Sequence, residues 1–227
     1  MSEEKQNNFY KSQKGQDRWV LEEILPQKRN GFFLDLAAAD GLTHSNSYTL
    51  EKEYNWTGIC IEPNPVFFEQ LRAHRDCVCI QAAISNQIEK VNFRVDNGQL
   101  GGIVADDLDN CERIRGEQLK TAEILSMTTR TLMDVLVENN APAVIDYFSL
   151  DVEGAEERIV SSMDFNQYVF KTITIERPTP RVNEILFQNG YIFVKNFRFD
   201  SFYVHPDIKN QFDIACAPFE QIPPKNW

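Results

Sequence analysis

Acidic side chains stand at the ends of several predicted strands, where they could act together on a ligand. Asp35, Glu62, Asp151 and Glu176 each lie at or next to the carboxyl end of a predicted strand. In open parallel sheets, ligands bind beyond the carboxyl ends of the strands. A single acid there often only caps the next helix, but four acids on one edge favour a binding site.

The spacing of one acid and the composition of one loop favour a particular cofactor. Glu62 follows Gly41 by 21 residues, the spacing expected for an acid that binds a ribose. A dinucleotide would need several glycines in the preceding loop, so that backbone N–H groups can approach its pyrophosphate. The loop Asp35–Gly41 has one glycine, and Asp40 would repel a diphosphate. S-adenosylmethionine carries two cationic groups and no phosphate, so the loop favours this methyl donor over a nicotinamide dinucleotide.

Short apolar runs alternate with amphipathic stretches, a pattern typical of βαβ units around a largely parallel sheet. The predicted strands are Phe32–Ala37, Gly58–Glu62, Cys77–Gln81, Lys90–Val95, Ile124–Thr128, Val144–Leu150, Phe170–Ile175, Tyr191–Phe197 and Phe202–His205. The predicted helices are Gln16–Leu25, Ser45–Tyr54, Val66–His74, Thr131–Asn139 and Val182–Gln188. Residues 96–118 show little periodicity, and a loop of that length is usually either functional or disordered.

Composition excludes several classes of protein. The 227 residues are 42% hydrophobic and carry a net charge of −11, so we expect neither a nucleic-acid partner nor an anionic membrane partner. No apolar run approaches the length of a membrane span, and residues 1–30 lack the pattern of a signal peptide. Five cysteines without an export signal indicate reduced thiols and a cytoplasmic location. We expect one domain over residues 1–227, with an N-terminal helical segment (1–30) and a candidate substrate lid (96–120).

Several motifs, taken in order, resemble one enzyme family. The runs SQKGQD, GFFLDLAAADG, SNSYTLE, IEPNP and LDVEGAE occur between Ser12 and Tyr203. Together they resemble the FkbM family of S-adenosylmethionine-dependent methyltransferases. The resemblance implies an α/β, class I (Rossmann-like) methyltransferase fold: a seven-stranded, mostly parallel sheet with helices on both faces. It also implies O-methylation of a small hydroxylated acceptor such as a sugar, glycan or natural product. One position departs from the family, which usually has glycine where Ala37 stands.

The same resemblance implies roles around the first two strands. Asp35 and the loop Ala37–Gly41 would cradle the methionine part of the cofactor. Glu62 would hold the ribose, while Pro63 and Asn64 fix the end of the strand. Asn64 also suits the cap of a helix that begins at Pro65.

Further residues complete the cofactor site that the resemblance implies. Ala82 and Ala83 would leave room for the adenine after the third strand. Ser45 and Asn46 would contact the methionine carboxylate at the start of the next helix. Gln13 would close the pocket from the N-terminal side.

Three residues are candidates for the reaction itself. Asp151 would face the amino group of the cofactor and the reacting centre, by the same resemblance. His44 could accept the proton of an acceptor hydroxyl, since the ordinary pKa of imidazole is near neutrality. An acid of the Asp151 group is the alternative base, and His44 would then be an exposed loop histidine. Glu153 could bind substrate hydroxyls, or Mg²⁺ together with Asp151 and Glu176, because carboxylate oxygens suit this ion.

Other interpretations of the sequence remain open. His74, Cys77 and Cys79 could suggest zinc, but the two cysteines share one strand face without a second pair, which favours core thiols. A non-catalytic module that kept the fold, with Ala37 as the damaging change, is the main alternative to an enzyme. A nicotinamide-dependent oxidoreductase is the less favoured alternative.

Overall fold

A seven-stranded sheet forms the centre of the computed structural model, which describes residues 9–223. The strands of the chain are β1 (Phe32–Leu36), β2 (Thr57–Ile61), β3 (Val78–Ile80), β4 (Ile84–Ser85), β5 (Lys90–Arg94), β6 (Gly102–Ile103), β7 (Ile124–Thr128), β8 (Arg130–Thr131), β9 (Val144–Leu150), β10 (Val169–Glu176), β11 (Ile192–Phe197) and β12 (Asp200–Val204). The main sheet has the order β11-β12-β10-β9-β1-β2-β3, and only β12 runs antiparallel to its neighbours. The predicted α/β architecture with a mostly parallel sheet is confirmed.

Helices cover both faces of this sheet, as predicted. They are α1 (Gln16–Arg18, continued by a π-helical segment Trp19–Ile24), α2 (Tyr48–Tyr54), α3 (Pro65–His74), α4 (Glu112–Leu119), α5 (Leu132–Glu138), α6 (Glu156–Ser161), α7 (Pro180–Gln188) and α8 (Pro206–Gln211). Side chains alternate along each strand, so β1 sends Leu34 and Leu36 into one core and Phe33 into the other. The first core packs against α5, α6 and α7, and the second packs against α1, α2, α3 and α8.

Local signals set the helix that follows β2. The Asn64 side chain accepts a hydrogen bond from the Val66 backbone N–H at 3.0 Å, and Pro65 occupies the first turn. This arrangement satisfies an N–H group that the helix itself leaves unpaired. The predicted cap of α3 is therefore confirmed.

Two predictions about the elements need correction. Helix α2 begins at Tyr48 rather than Ser45, because the Ser45 hydroxyl accepts hydrogen bonds from the Ser47 and Tyr48 backbone N–H groups and holds residues 45–47 outside the helix. Residues 96–118, predicted as a loop, contain a 3₁₀ turn (Gly98–Leu100), strand β6 and most of α4.

A second, smaller sheet explains the structure of this region. Strand β5 pairs antiparallel with β6 and β7 instead of joining the main sheet. The first eight residues of the predicted N-terminal segment lie outside the described range, as do residues 224–227. Within that range, no helix has the length and apolar character needed to cross a bilayer.

Strands β1 and β2 approach each other closely at Gly58, which leaves no room for a side chain there. A Cβ atom at Gly58 would lie 2.3 Å from the Phe33 carbonyl oxygen, which is backbone and cannot move aside. We expect Gly58→Ala to lower the free energy of unfolding by about 1–3 kcal/mol or more, because overpacking strains the sheet. Urea denaturation followed by circular dichroism measures this change.

Gly116 in α4 is the matched control. A Cβ atom there would meet its nearest neighbour, Glu112 Cγ, at 3.5 Å, which is an ordinary contact. Gly116→Ala should raise the free energy of unfolding by roughly 0.5–1 kcal/mol, because alanine loses less entropy in a helix. Equal effects of the two substitutions would contradict the proposed close packing of β1 on β2.

Candidate active site

The carboxyl edge of the main sheet opens into a polar cavity of about 250 Å³. Its walls come from the loop after β1, the loop after β9, the end of β10 and the turn between β11 and β12. Many of the predicted site residues line it, namely Gln13, Asp35, Ala37, His44, Ser45, Asn46, Asp151 and Glu153. The structure therefore brings residues from distant parts of the sequence to one place.

A small apolar slot of about 40 Å³ adjoins this cavity. Leu36 and Ala37 line both spaces. Pro63, Ala82 and Ala83 line only the slot, and the alanine side chains are short and apolar. The slot therefore offers apolar contacts directly beside the polar cavity.

The loop after β1 has an unusual backbone. Ala37, Ala39 and His44 have φ values of 60°, 48° and 60°, and Gly41 has a φ of 75°. These values lie in the left-handed region, where a Cβ atom crowds the following carbonyl group. The loop consequently holds three non-glycine residues in a conformation that favours glycine.

Glu62 is buried beneath this loop and does not line either cavity. Its carboxylate accepts hydrogen bonds from the Ala39 backbone N–H at 2.9 Å and the Asn64 backbone N–H at 2.8 Å. Burial raises the pKa of Glu62 to about 7, although both hydrogen bonds oppose the shift. Glu62 thus ties the loop to the end of β2.

Asp40 and Gly41, also predicted to bind the cofactor, shape the loop and lie outside the cavity lining. The Asp40 carboxylate accepts hydrogen bonds from the backbone N–H groups of Leu42 (2.9 Å) and Thr43 (2.7 Å). A Cβ atom at Gly41 would lie 2.6 Å from Leu71 Cδ1. Gly41 therefore allows the loop to lie directly on α3.

A buried arginine, Arg75, holds the loop from the side of α3. Arg75 Nε donates to Glu51 Oε2 at 2.5 Å, and its NH2 group donates to the Ser47 hydroxyl at 3.0 Å. The Ser47 hydroxyl in turn donates to Asp35 Oδ2 at 2.5 Å. Burial raises the pKa of Asp35, while Ser47 and Arg75 act in the opposite direction. Arg75 follows a helix, where a basic side chain is ordinarily a surface residue, so no sequence signal distinguished it.

Three carboxylates meet in the floor of the cavity. One oxygen each from Asp151, Glu153 and Glu176 lie within 4.8 Å of one another, and no other such group of metal-ligand atoms occurs in residues 9–223. Loss of solvent, followed by the charges of Glu176 and Glu153, raises the pKa of Asp151 well above its ordinary value. This floor favours a cation, whether a group of a ligand or a divalent ion with oxygen ligands.

Several residues that line the cavity were not predicted from the sequence. Lys14, Gln99 and the turn residues Arg198 and Phe199 lie at its rim, and Asp200 lies deeper. They come from the N-terminal segment, the 3₁₀ turn and the β11–β12 hairpin. Lys14 lies in the SQKGQD run and Gln99 in the predicted lid, but neither residue was singled out. The hairpin residues lie in no recognised motif, so only the fold shows that they reach the cavity.

Comparison with known proteins identifies the family. Residues 35–199 match the family model of the methyltransferase FkbM domain. The chain belongs to this family. The suggested resemblance is confirmed, and with the observed strand order the fold is that of a class I methyltransferase. No curated protein sequence matches the chain.

Solved structures with a similar arrangement are remote in sequence. The METTL16 methyltransferase domain has 11% identity and a TM-score of 0.45, over 82% of this chain and 64% of that chain. A human methyltransferase 10 domain containing protein has 12% identity and a TM-score of 0.42, over 83% and 78%. The N-terminal domain of human METTL16 in complex with SAH has 12% identity and a TM-score of 0.41, over 82% and 66%. This FkbM-family chain thus spans about two thirds of the METTL16 domains.

The zinc interpretation finds no support in the part of the chain that is described. Cys77 Sγ lies 3.6 Å from the buried Cys60 Sγ, and Cys79 Sγ donates to the Cys77 carbonyl. His74 Nδ1 lies 2.7 Å from the Asp40 carbonyl oxygen. The thiols pack between β2 and β3, and the histidine supports the loop of the FkbM-family site.

Ala37 has a left-handed backbone conformation and stands where the family usually has glycine, so its replacement by glycine is a direct test. Ala37→Gly should raise the free energy of unfolding by about 1 kcal/mol, because glycine adopts a φ of 60° without strain. It should also preserve or tighten binding of S-adenosylhomocysteine, since Ala37 lines both cavities and the substitution removes its methyl group. The neighbouring Ala38→Gly is the control: Ala38 has no positive φ, so this change should cost stability. A destabilised Ala37→Gly variant that binds more weakly would contradict the strained backbone.

The buried acids predict a specific pH dependence of stability. Glu156 Oε1 accepts a hydrogen bond from the Val152 backbone N–H at 2.9 Å, and burial raises the pKa of Glu156 from 4.5 to about 8. The folded protein therefore retains this proton where the unfolded chain has lost it, and stability falls as pH rises from about 4.5 to about 8. Glu156→Gln removes the buried charge, so it should raise the free energy of unfolding at pH 8.5 by roughly 1–3 kcal/mol. The gain should vanish toward pH 4.5.

Urea denaturation at a series of pH values tests this prediction. Glu69→Gln is the control, because the Glu69 side chain is 72% exposed and should not alter the pH dependence. A Glu156→Gln variant whose stability tracks the wild type at every pH would show that Glu156 is charged in the folded protein.

Proposed function

We propose that this FkbM-family domain transfers a methyl group from S-adenosylmethionine to a hydroxyl group of a small molecule such as a sugar, glycan or natural product. One observation carries the proposal: an apolar slot opens into a carboxylate-lined cavity at the carboxyl edge of the sheet. The slot suits an adenine, and the acids suit a sulfonium and an ammonium group. The loop between them lacks the glycines that a pyrophosphate would need.

The chain offers a suitable contact for each part of this cofactor. Ala82 and Ala83 would flank the adenine. Glu62 lines neither cavity in this structure, so it would accept hydrogen bonds from the ribose only where the bound cofactor reaches past Ala39, whose backbone N–H the Glu62 carboxylate holds. Ser45 and Asn46 line the cavity and would contact the methionine carboxylate. When bound, S-adenosylmethionine would supply an electrophilic methyl group, with a neutral thioether as the leaving group.

His44 is the proposed base. It is exposed at the rim of the cavity, and its backbone forms a bridge with Ser12 that fixes its position. The site would align the acceptor oxygen with the breaking C–S bond, gaining mainly from proximity. His44 would accept the hydroxyl proton as the new C–O bond forms. Asp151 and Glu153 would orient the acceptor hydroxyl.

A metal-assisted route is the alternative that the floor of the cavity favours. Asp151, Glu153 and Glu176 present only oxygen ligands, which fit Mg²⁺ or Mn²⁺. The three carboxylates would then hold the ion that polarises the hydroxyl, and His44 would have little effect.

The ribose assignment predicts the effect of removing Glu62. Glu62→Ala should weaken binding of S-adenosylhomocysteine about ten- to a hundredfold, because the hydroxyls lose a charged acceptor and the Ala39 N–H loses its partner. Calorimetric titration measures the dissociation constant. An unchanged constant in a folded variant would remove Glu62 from the site.

If His44 is the base, its replacement should slow turnover without weakening cofactor binding. His44→Asn should lower kcat about 10²- to 10⁴-fold and leave the affinity for S-adenosylhomocysteine unchanged, because a general base acts on the acceptor proton. His205→Asn is the control, since His205 caps α8 outside the cavity and asparagine is also a good cap. Turnover should persist in EDTA. An EDTA-inactivated enzyme with an active His44→Asn variant would favour the metal-assisted route instead.

The proposed activity itself is tested by product analysis. The protein is incubated with S-adenosylmethionine and a panel of hydroxylated acceptors, and mass spectrometry with NMR locates the added methyl group. A methyl ether supports the proposal. Binding of S-adenosylhomocysteine without turnover on any acceptor would favour the non-catalytic module, and a methylated amine would contradict O-methylation.

A further inference from the structure

One half of the cavity is left over once the proposed cofactor contacts are assigned. Those contacts cluster at the ends of β1, β2 and β3, on one side of the central strand β9. The opposite side is formed by the end of β10 and the β11–β12 hairpin, and Glu176, Phe199 and Asp200 line the cavity there. Asp151, which follows β9, lies between the two halves. The leftover half is where an acceptor would reach the transferred methyl group.

Phe199 is an exposed aromatic residue that is nevertheless held in place. Its ring lines the cavity and the residue is 46% exposed. The Arg177 guanidinium lies 3.6 Å from the ring centre, and the Arg177 backbone N–H donates to the Phe199 carbonyl at 2.7 Å. A cation stacked on one ring face stabilises the aromatic side chain. The ring is thus ordered before any ligand binds, which reduces the entropy that binding would otherwise cost.

Two carboxylate side chains line the same cavity as Phe199. Glu176 and Asp200 are paired residues of β10 and β12, so their positions follow from the sheet. Asp200 Oδ1 accepts a hydrogen bond from Gln16 Nε2 at 3.0 Å, which orients the carboxylate. Carboxylate oxygens have several acceptor sites each and form strong hydrogen bonds with donors.

We infer that Phe199, Asp200 and Glu176 form an acceptor subsite for an uncharged, polyhydroxylated ring such as a pyranoside. This inference rests on the proposed function and names its substrate class. The apolar C–H face of the ring would lie on Phe199, while its hydroxyls donate to the two carboxylates. A phosphorylated or carboxylated sugar is disfavoured there, because its anion would face Glu176 and Asp200 in a poorly solvated site.

The chain provides a matched control for the aromatic contact. Phe197 lies two residues earlier in the same hairpin and is also 46% exposed, but it does not line the cavity. The two phenylalanines share size and exposure and differ in their access to the leftover half. Phe199→Ala and Phe197→Ala therefore separate a binding role from a general effect on the hairpin.

Saturation-transfer NMR tests the subsite directly. The probes are methyl pyranosides of glucose, galactose, mannose and rhamnose, added to the full chain with and without S-adenosylhomocysteine. We expect saturation transfer to the ring C–H protons of at least one pyranoside. Its dissociation constant should rise about three- to tenfold in Phe199→Ala, stay unchanged in Phe197→Ala and be largely restored in Phe199→Trp. Asp200→Asn, which can still pair with Gln16, should weaken binding about tenfold or more.

Two results would overturn the subsite. One is the absence of saturation transfer from the wild-type protein to every pyranoside of the panel. The other is equal pyranoside binding by Phe199→Ala and the wild type, in variants whose thermal unfolding shows that they are folded. Calorimetry with S-adenosylhomocysteine on the same samples distinguishes the two proposals. Absence of S-adenosylhomocysteine binding by the wild type would contradict the proposed function, whereas absence of pyranoside binding alone would contradict only the subsite.

Discussion

The buried guanidinium of Arg75 is the interaction on which the shape of the site depends. Its side chain has no exposure, and it binds Glu51, the Ser47 hydroxyl and the Gly41 carbonyl while it lies 5.2 Å from the Phe33 ring centre. A buried charge that loses its partner costs about 3–5 kcal/mol. If the loop after β1 moved away from α3, the Arg75 guanidinium would lose hydrogen-bond partners or become exposed to solvent.

The other end of the loop is tied down just as firmly. Glu62 holds the Ala39 backbone N–H, and the Asn64 cap fixes the start of α3 relative to β2. With both ends anchored, the left-handed residues of the loop are kept in a conformation that they would not adopt alone. Ala37 of this anchored loop lines both the apolar slot and the polar cavity, so we expect the shape of the loop, rather than a set of glycines, to determine which cofactor fits.

The sequence was informative where local patterns decide the structure. Apolar periodicity located nearly every strand of the main sheet, and the topology rule for parallel sheets brought Asp151 and Glu176 to one edge. Arg75 and Phe199 could not be found in this way, because their roles arise from contacts between elements far apart in the chain. Glu62 was identified by spacing, yet only the structure showed its carboxylate bonded to the loop. The segment 96–118 shows no periodicity because its 3₁₀ turn and its two-residue strand β6 are too short to produce a pattern, and most of α4 follows only at its end.

Calorimetric titration of the wild-type chain with S-adenosylhomocysteine, with NAD as the control ligand, tests the central claim most directly. The claim is that a loop anchored by Arg75 and Glu62 forms a cradle for a phosphate-free cofactor. It predicts one-to-one binding of S-adenosylhomocysteine and no detectable binding of NAD. Binding of NAD without binding of S-adenosylhomocysteine would contradict it.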